Sequence, residues 1–210
     1  MAIMETAAQF SDEVQAKRFA ASCALELRNR RKWREDPLTW FKERMDSESW
    51  ERWLVFLAAL FAVPITEPRA IEIFRESTGR VNPPEKMARE VWVVVGRRGG
   101  KSMVAALIGT YLAIARDYRR YLSPGEVATI MIIAADHKQA RTIMRYIEGM
   151  IKGSVHLNSL VASMTKESIT LGNQVVIEVH TCSYRAVRGY TIAAVICDEI
   201  AFWRTDDSAN

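Results

Sequence analysis

The sequence predicts an α/β protein, a mostly parallel sheet flanked by helices and preceded by an N-terminal helical segment. Three observations carry that prediction. The chain before Pro83–Pro84 is helical in pattern. Beyond Asn82-Pro83-Pro84 the rhythm changes to short β-branched runs alternating with helical stretches, the pattern of strands joined by crossover helices. A glycine-rich turn then stands between a run of valines and an amphipathic helix, which is where such folds place their chemistry.

The elements follow in chain order. Residues 7–34 are rich in Ala, Glu, Lys and Arg with few breakers, and predict a helix. Asp36-Pro37 opens a second one, with Asp as N-cap and Pro at the first helical position. A third follows Ser49, where Trp50, Trp53, Leu54, Leu57, Leu60 and Phe61 recur at helical spacing. Val91 to Val95 predicts a strand buried on both faces, and Lys101 to Arg119 the helix after it. Val127 to Ala134 is a second buried strand, and His137 to Lys152 a second helix. Ile169–Leu171 and Val175–His180 flank Gly172-Asn173, which predicts a β-hairpin. Ala193 to Cys197 is expected as another buried strand. The predicted organisation is a helical segment over 1–84 that packs on a core over 85–210.

Composition narrows the class. With 210 residues, 49% hydrophobic and 26% charged, the chain can bury a full core without staples. The net charge of +4 is compatible with a polyanionic partner but does not require one. Cys23, Cys182 and Cys197 form no C-x-x-C pair, and His137, His156 and His180 have no partners at metal-ligand spacing. The longest apolar run, Leu54 to Ile65, is too short to span a bilayer, and the N-terminus lacks the order of a secretion signal. No membrane association is expected.

The central motif is the turn Gly96-Arg97-Arg98-Gly99-Gly100-Lys101-Ser102. Glycines let successive backbone N–H groups point into one concavity, and the following helix N-terminus adds partial positive charge, so the turn suits a phosphate. Lys101 would reach the β- and γ-phosphates of a nucleotide, and the Ser102 hydroxyl would take one position on Mg²⁺. The usual phosphate-loop spacing asks for glycine where Val95 stands, so with Gly96 first this loop is one residue tighter. The second motif is Asp198-Glu199, two carboxylates at the end of the strand Ala193–Cys197. Ligands bind at the carboxyl ends of strands in open α/β sheets, so these acids should face the loop. Asp198 would bind Mg²⁺, and Glu199 would orient and deprotonate the water that attacks the γ-phosphate. Together the motifs predict a nucleotide hydrolase.

Four segments resemble the large terminase subunit of tailed bacteriophages, the ATPase that packages double-stranded DNA. They are the loop Gly96–Ser102, the segment from Ala134 to Ala140 with its Gln-Ala pair, Arg188-Gly189-Tyr190, and Asp198–Trp203, which resembles that family's Walker B strand and its aromatic tail. The resemblance implies a P-loop NTPase fold of the RecA-like (ASCE) kind with ATP and Mg²⁺ as ligands. It also implies that Arg97 stands near the γ-phosphate and that Arg188 serves a neighbouring subunit as an arginine finger, with Arg185 the competing candidate. The implied partners are double-stranded DNA, further copies in a ring (a pentamer in that family), a portal protein and a small terminase subunit, all in the cytoplasm of an infected bacterium. No glutamine lies between residues 16 and 138 to read adenine, and Glu51 or Trp53 stands nearest that role. The chain ends eleven residues after Glu199, so a core truncated after the Walker B strand and no nuclease domain are expected. The alternative reading is a helicase-like ATPase that remodels nucleic acid.

Overall fold

The computed structural model describes residues 13–45, 48–182 and 189–203. They fall into two units, Asn29–Gly99 and Met1–Arg28 with Gly100–Asn210; helix α1 (Glu13–Glu35) contributes to both.

Asn29–Gly99 is helical. Helix α2 (Pro37–Lys42) starts as predicted: Pro37 needs no N–H there, and the Asp36 carboxylate accepts from Leu38 N at 3.0 Å. Trp33, Trp40, Phe41 and Met45 are buried, and the Arg44 guanidinium lies over the Trp40 ring. Helix α3 (Glu51–Phe61) ends on Ala62 in a left-handed conformation, φ 55°. Helix α4 (Pro68–Thr78), which the apolar spacing did not announce, packs Ile73 and Phe74 against Val55 of α3. Its signals were Pro68 at the first helical position and Gly79, at φ 67°, just past its end.

The expected strand Val91–Val95 is not formed. Those residues are irregular backbone outside every ladder, with Trp92 74% exposed and Val94 fully exposed. β-branched residues favour a strand only where a ladder and a packed face receive them, and among the described residues this run has neither.

The other unit is built on a five-stranded sheet of order β2-β3-β4-β1-β5. The strands are β1 (Ala128–Ala134), β2 (Val161–Met164), β3 (Ser168–Leu171), β4 (Val175–Thr181) and β5 (Thr191–Cys197). The sheet is mixed rather than mostly parallel. β1 pairs in parallel with β4 and β5, whereas β2–β3 and β3–β4 are antiparallel. Short turns dictate this, because only crossovers of a dozen or more residues yield parallel neighbours. The predicted hairpin is one of these pairs, turning through Gly172, Asn173 and Gln174 at φ 64°.

Strand β1 is buried along its whole length, as predicted. Strand β5 is not, because it has one neighbour and lies at the sheet edge, leaving Ile192 and Val195 more than a third exposed. Helices α5 (Lys101–Ala115) and α6 (His137–Lys152) pack against each other and onto the sheet. Helix α5 stops short of the predicted Arg119, since Arg116 turns extended. Gly109 lets α5 approach closely: a Cβ there would stand 3.2 Å from Ile196 Cδ1. Asn173 Nδ2 donates to Ala113 O at 2.8 Å and ties the hairpin turn to the same helix. Helix α7 (Val155–Ser159) and β2 are short elements without a periodic signal. No described helix is long and apolar enough to cross a membrane.

Candidate functional site

The carboxyl ends of β1 and β5 and the start of α5 bring four side chains together. Asp198 N donates to Ile133 O at 2.8 Å, which carries the β1–β5 pairing one residue past the strand and fixes the first carboxylate. The chain then reverses: Glu199 adopts φ 52° and ψ 44°, a left-handed conformation that costs a non-glycine residue about 1 kcal/mol or more. A 3₁₀ turn, Ile200–Phe202, follows, and Trp203 Nε1 donates to Asp198 O at 3.0 Å. The aromatic tail of the motif thus holds the turn that aims both acids.

Lys101, first residue of α5, places Nζ 2.7 Å from Glu199 Oε1 and 3.9 Å from Asp198 Oδ1. Gln139 Nε2 donates to the other carboxylate oxygen, Glu199 Oε2, at 2.8 Å. Gln139 stands there because Asp136 at the end of β1 caps α6, accepting from Gln139 N at 2.9 Å. The Gln139 Oε1 atom is buried and accepts no hydrogen bond from a described residue. Sequence reasoning noted Gln139 only as part of a resemblance and assigned it no role. A polar residue one helical turn past a strand-end N-cap was the signal available.

Burial pushes the Asp198 carboxyl above the usual carboxylate range; Lys101 opposes the rise and the Glu199 charge adds to it. A half-buried carboxylate whose desolvation outweighs its one cationic neighbour is suited to gain a cation. The Ser102 hydroxyl, next along α5, supplies the same hard-oxygen chemistry.

The phosphate-loop residues are divided between the two units. Gly100 and Lys101 open α5, with Gly100 at φ 81° as its N-cap, a conformation that favours glycine. In the unit 29–99, Gly96 to Gly99 form a turn closed by Gly99 N donating to Gly96 O at 3.3 Å. Gly99 is required there, because a Cβ would overlap a Val95 methyl group and crowd Gly96 O. Arg97 and Arg98 are exposed on this turn, Arg98 at φ 62°. Trp53 Nε1 donates to Gly99 O at 2.7 Å, so the indole considered for an adenine contact also braces the loop backbone. Arg185 and Arg188, the two candidates for an arginine finger, lie outside the described residues.

The fold and site define a mixed α/β protein in which a helix-start lysine and a strand-end pair of carboxylates meet. A family model described as the terminase large subunit, ATPase domain, matches residues 79–210, and the chain belongs to that family. The resemblance read from four sequence segments is therefore borne out. A search of curated proteins finds no match.

Proposed function

We propose that this chain hydrolyses ATP with Mg²⁺ at a P-loop site and couples that reaction to moving double-stranded DNA into a procapsid. Membership of the terminase ATPase-domain family supports a packaging-motor ATPase in general. The observation that carries the finer reading is the convergence of Lys101 with Asp198 and Glu199 across 98 residues of sequence.

In this reading the amides of Gly96, Gly99 and Gly100 and the cations Arg97, Arg98 and Lys101 hold the phosphates, with Lys101 exchanging Glu199 for the β- and γ-oxygens. Asp198 and Ser102 would hold Mg²⁺, which when bound offsets the charge developing on the transferred phosphoryl group. Glu199 takes the proton of the attacking water, and Gln139 fixes which oxygen of Glu199 faces that water. Arg97 serves the γ-phosphate in its own subunit, and Arg188 or Arg185 serves the site of a neighbour in a ring. A portal protein and a small terminase subunit are the further partners, and the host cytoplasm is where the motor works.

The test is ATP binding and Mg²⁺-dependent phosphate release by the chain and by Lys101→Ala. Charge-assisted hydrogen bonds are worth about 1.5–3 kcal/mol, so the variant should bind ATP roughly tenfold or more weakly. Equal ATP affinity would remove Lys101 from the phosphate site.

A further inference from the structure

Helix α6 buries one face and exposes the other. Ala140, Ile143, Met144, Ile147 and Ile151 are buried. Lys138, Arg141, Arg145 and Lys152 are exposed at three-, four- and seven-residue intervals, so they form one stripe about 21 Å long. An ordinary solvated helix face mixes both signs; here, among the described residues of α6, Glu148 is the acid beside the stripe, and Glu167 reaches Arg141 from the turn before β3. Lys166, from the turn between β2 and β3, adds a fifth cation, and with Lys138, Arg141, Arg145 and Glu148 it lines an open groove of about 310 Å³.

The acids near these cations do not lock them. Glu167 lies 2.8 Å from Arg141 and Glu148 lies 3.3 Å from Lys152, but Arg141 is about half exposed and Lys152 more so, and such surface pairs are worth about 1 kcal/mol or less. Neither Lys138 nor Lys166 is in an ion pair with another described residue. Gly149 stands beside the stripe with open space where a Cβ would project, so a bulky strand can approach the helix backbone there.

We infer that this face of α6, with Lys166, seats the phosphate backbone of duplex DNA. A straight row of cations about 21 Å long spans about six base pairs of rise along a duplex axis, at about 3.4 Å per base pair, so it can meet phosphates that border a groove. The choice of duplex as the occupant rests on the motor reading above; the stripe itself rests on the charge pattern. The surface contacts backbone and not base edges, so it is indifferent to sequence. It also lies on the helix that presents Gln139 to Glu199, so a bound strand rests on the element that positions the carboxylate.

Fluorescence anisotropy of a labelled duplex of arbitrary sequence, titrated with the chain at several salt concentrations, tests this. The Arg141→Glu/Arg145→Glu pair should bind at least about tenfold more weakly, and its salt slope should fall by about two, since each phosphate contact contributes roughly 0.9. Arg141→Lys/Arg145→Lys should bind as the parent does, which separates lost charge from a damaged helix. Arg31→Glu, an exposed reversal on α1 outside the stripe, should change affinity by no more than about twofold, as the loss of a cation that makes no phosphate contact would. Parent-like binding by the double Glu variant, or an equal loss in Arg31→Glu, overturns the surface and leaves the motor reading intact. No duplex binding by the parent chain overturns both.

Discussion

Lys101 Nζ and Glu199 Oε1 stand 2.7 Å apart, so the lysine expected to bind phosphate is engaged with the carboxylate expected to activate water. Both side chains are partly exposed, and such a pair adds about 1 kcal/mol or less to stability. Its consequence lies in binding. An incoming phosphate must displace Glu199 from Lys101, and a second negative charge remains nearby.

Glu199→Gln should therefore bind ATP as tightly as the parent or several-fold more tightly, while turnover falls by a factor of about 10² to 10⁴, the range for loss of a general base. Calorimetry and phosphate release on the same preparation check both halves. Weaker ATP binding with turnover retained would reverse the roles assigned to the pair.

Gln139→Ala should lower kcat by roughly tenfold with little change in ATP affinity, because the side chain touches Glu199 and positions it. Gln139→Glu should be worse, since it sets a like charge against Glu199 Oε2. A rise in KM at constant kcat would make Gln139 a binding residue.

Asp198→Asn should stabilise the ligand-free chain at neutral pH and abolish Mg²⁺-dependent turnover. The sign follows from burial. A carboxyl raised above its unfolded value binds more protons in the folded state, so its contribution is fully present below the unfolded value near 3.8 and is lost as pH rises through the folded one. Thermal melts between pH 4 and 8 should show the parent losing stability over that interval relative to Asp198→Asn. Identical profiles would show that burial of Asp198 carries no penalty.

Gly99→Ala should destabilise the loop by about 1–3 kcal/mol, the usual cost of forcing a methyl into an occupied site. The added Cβ meets a Val95 methyl and Gly96 O, neither of which is the end of a long flexible side chain. Weaker ATP binding and a lower Tm should appear together. A parent-like Tm would mean the turn can shift at no cost.

What the sequence disclosed was governed by how local each signal is. The boundaries of α6 follow from Asp136 as a cap and an apolar stripe of period 3.6, both properties of adjacent residues. The pairing of Lys101 with the Asp198-Glu199 end followed from motif chemistry, because few other arrangements bring those residue types to strand and helix ends. The state of Val91–Val95 did not follow, because a β-branched run states a preference that only a partner strand can satisfy. The exposure of β5 escaped for the same reason: Ala193 to Cys197 reads as a core strand, and its place at the edge depends on the order of the whole sheet. Gln139 stood in the Gln-Ala pair of a resembling segment, but its role did not follow, because the carboxylate it touches lies 60 residues away.

The most direct test of the central claim is phosphate release from ATP by this chain, with Mg²⁺ and with excess chelator, against Glu199→Gln at matched ATP occupancy. The arrangement of Lys101, Asp198 and Glu199 predicts turnover in the parent that requires the metal and is lost in the variant while ATP stays bound. Turnover that persists in Glu199→Gln, or that ignores removal of Mg²⁺, would contradict it.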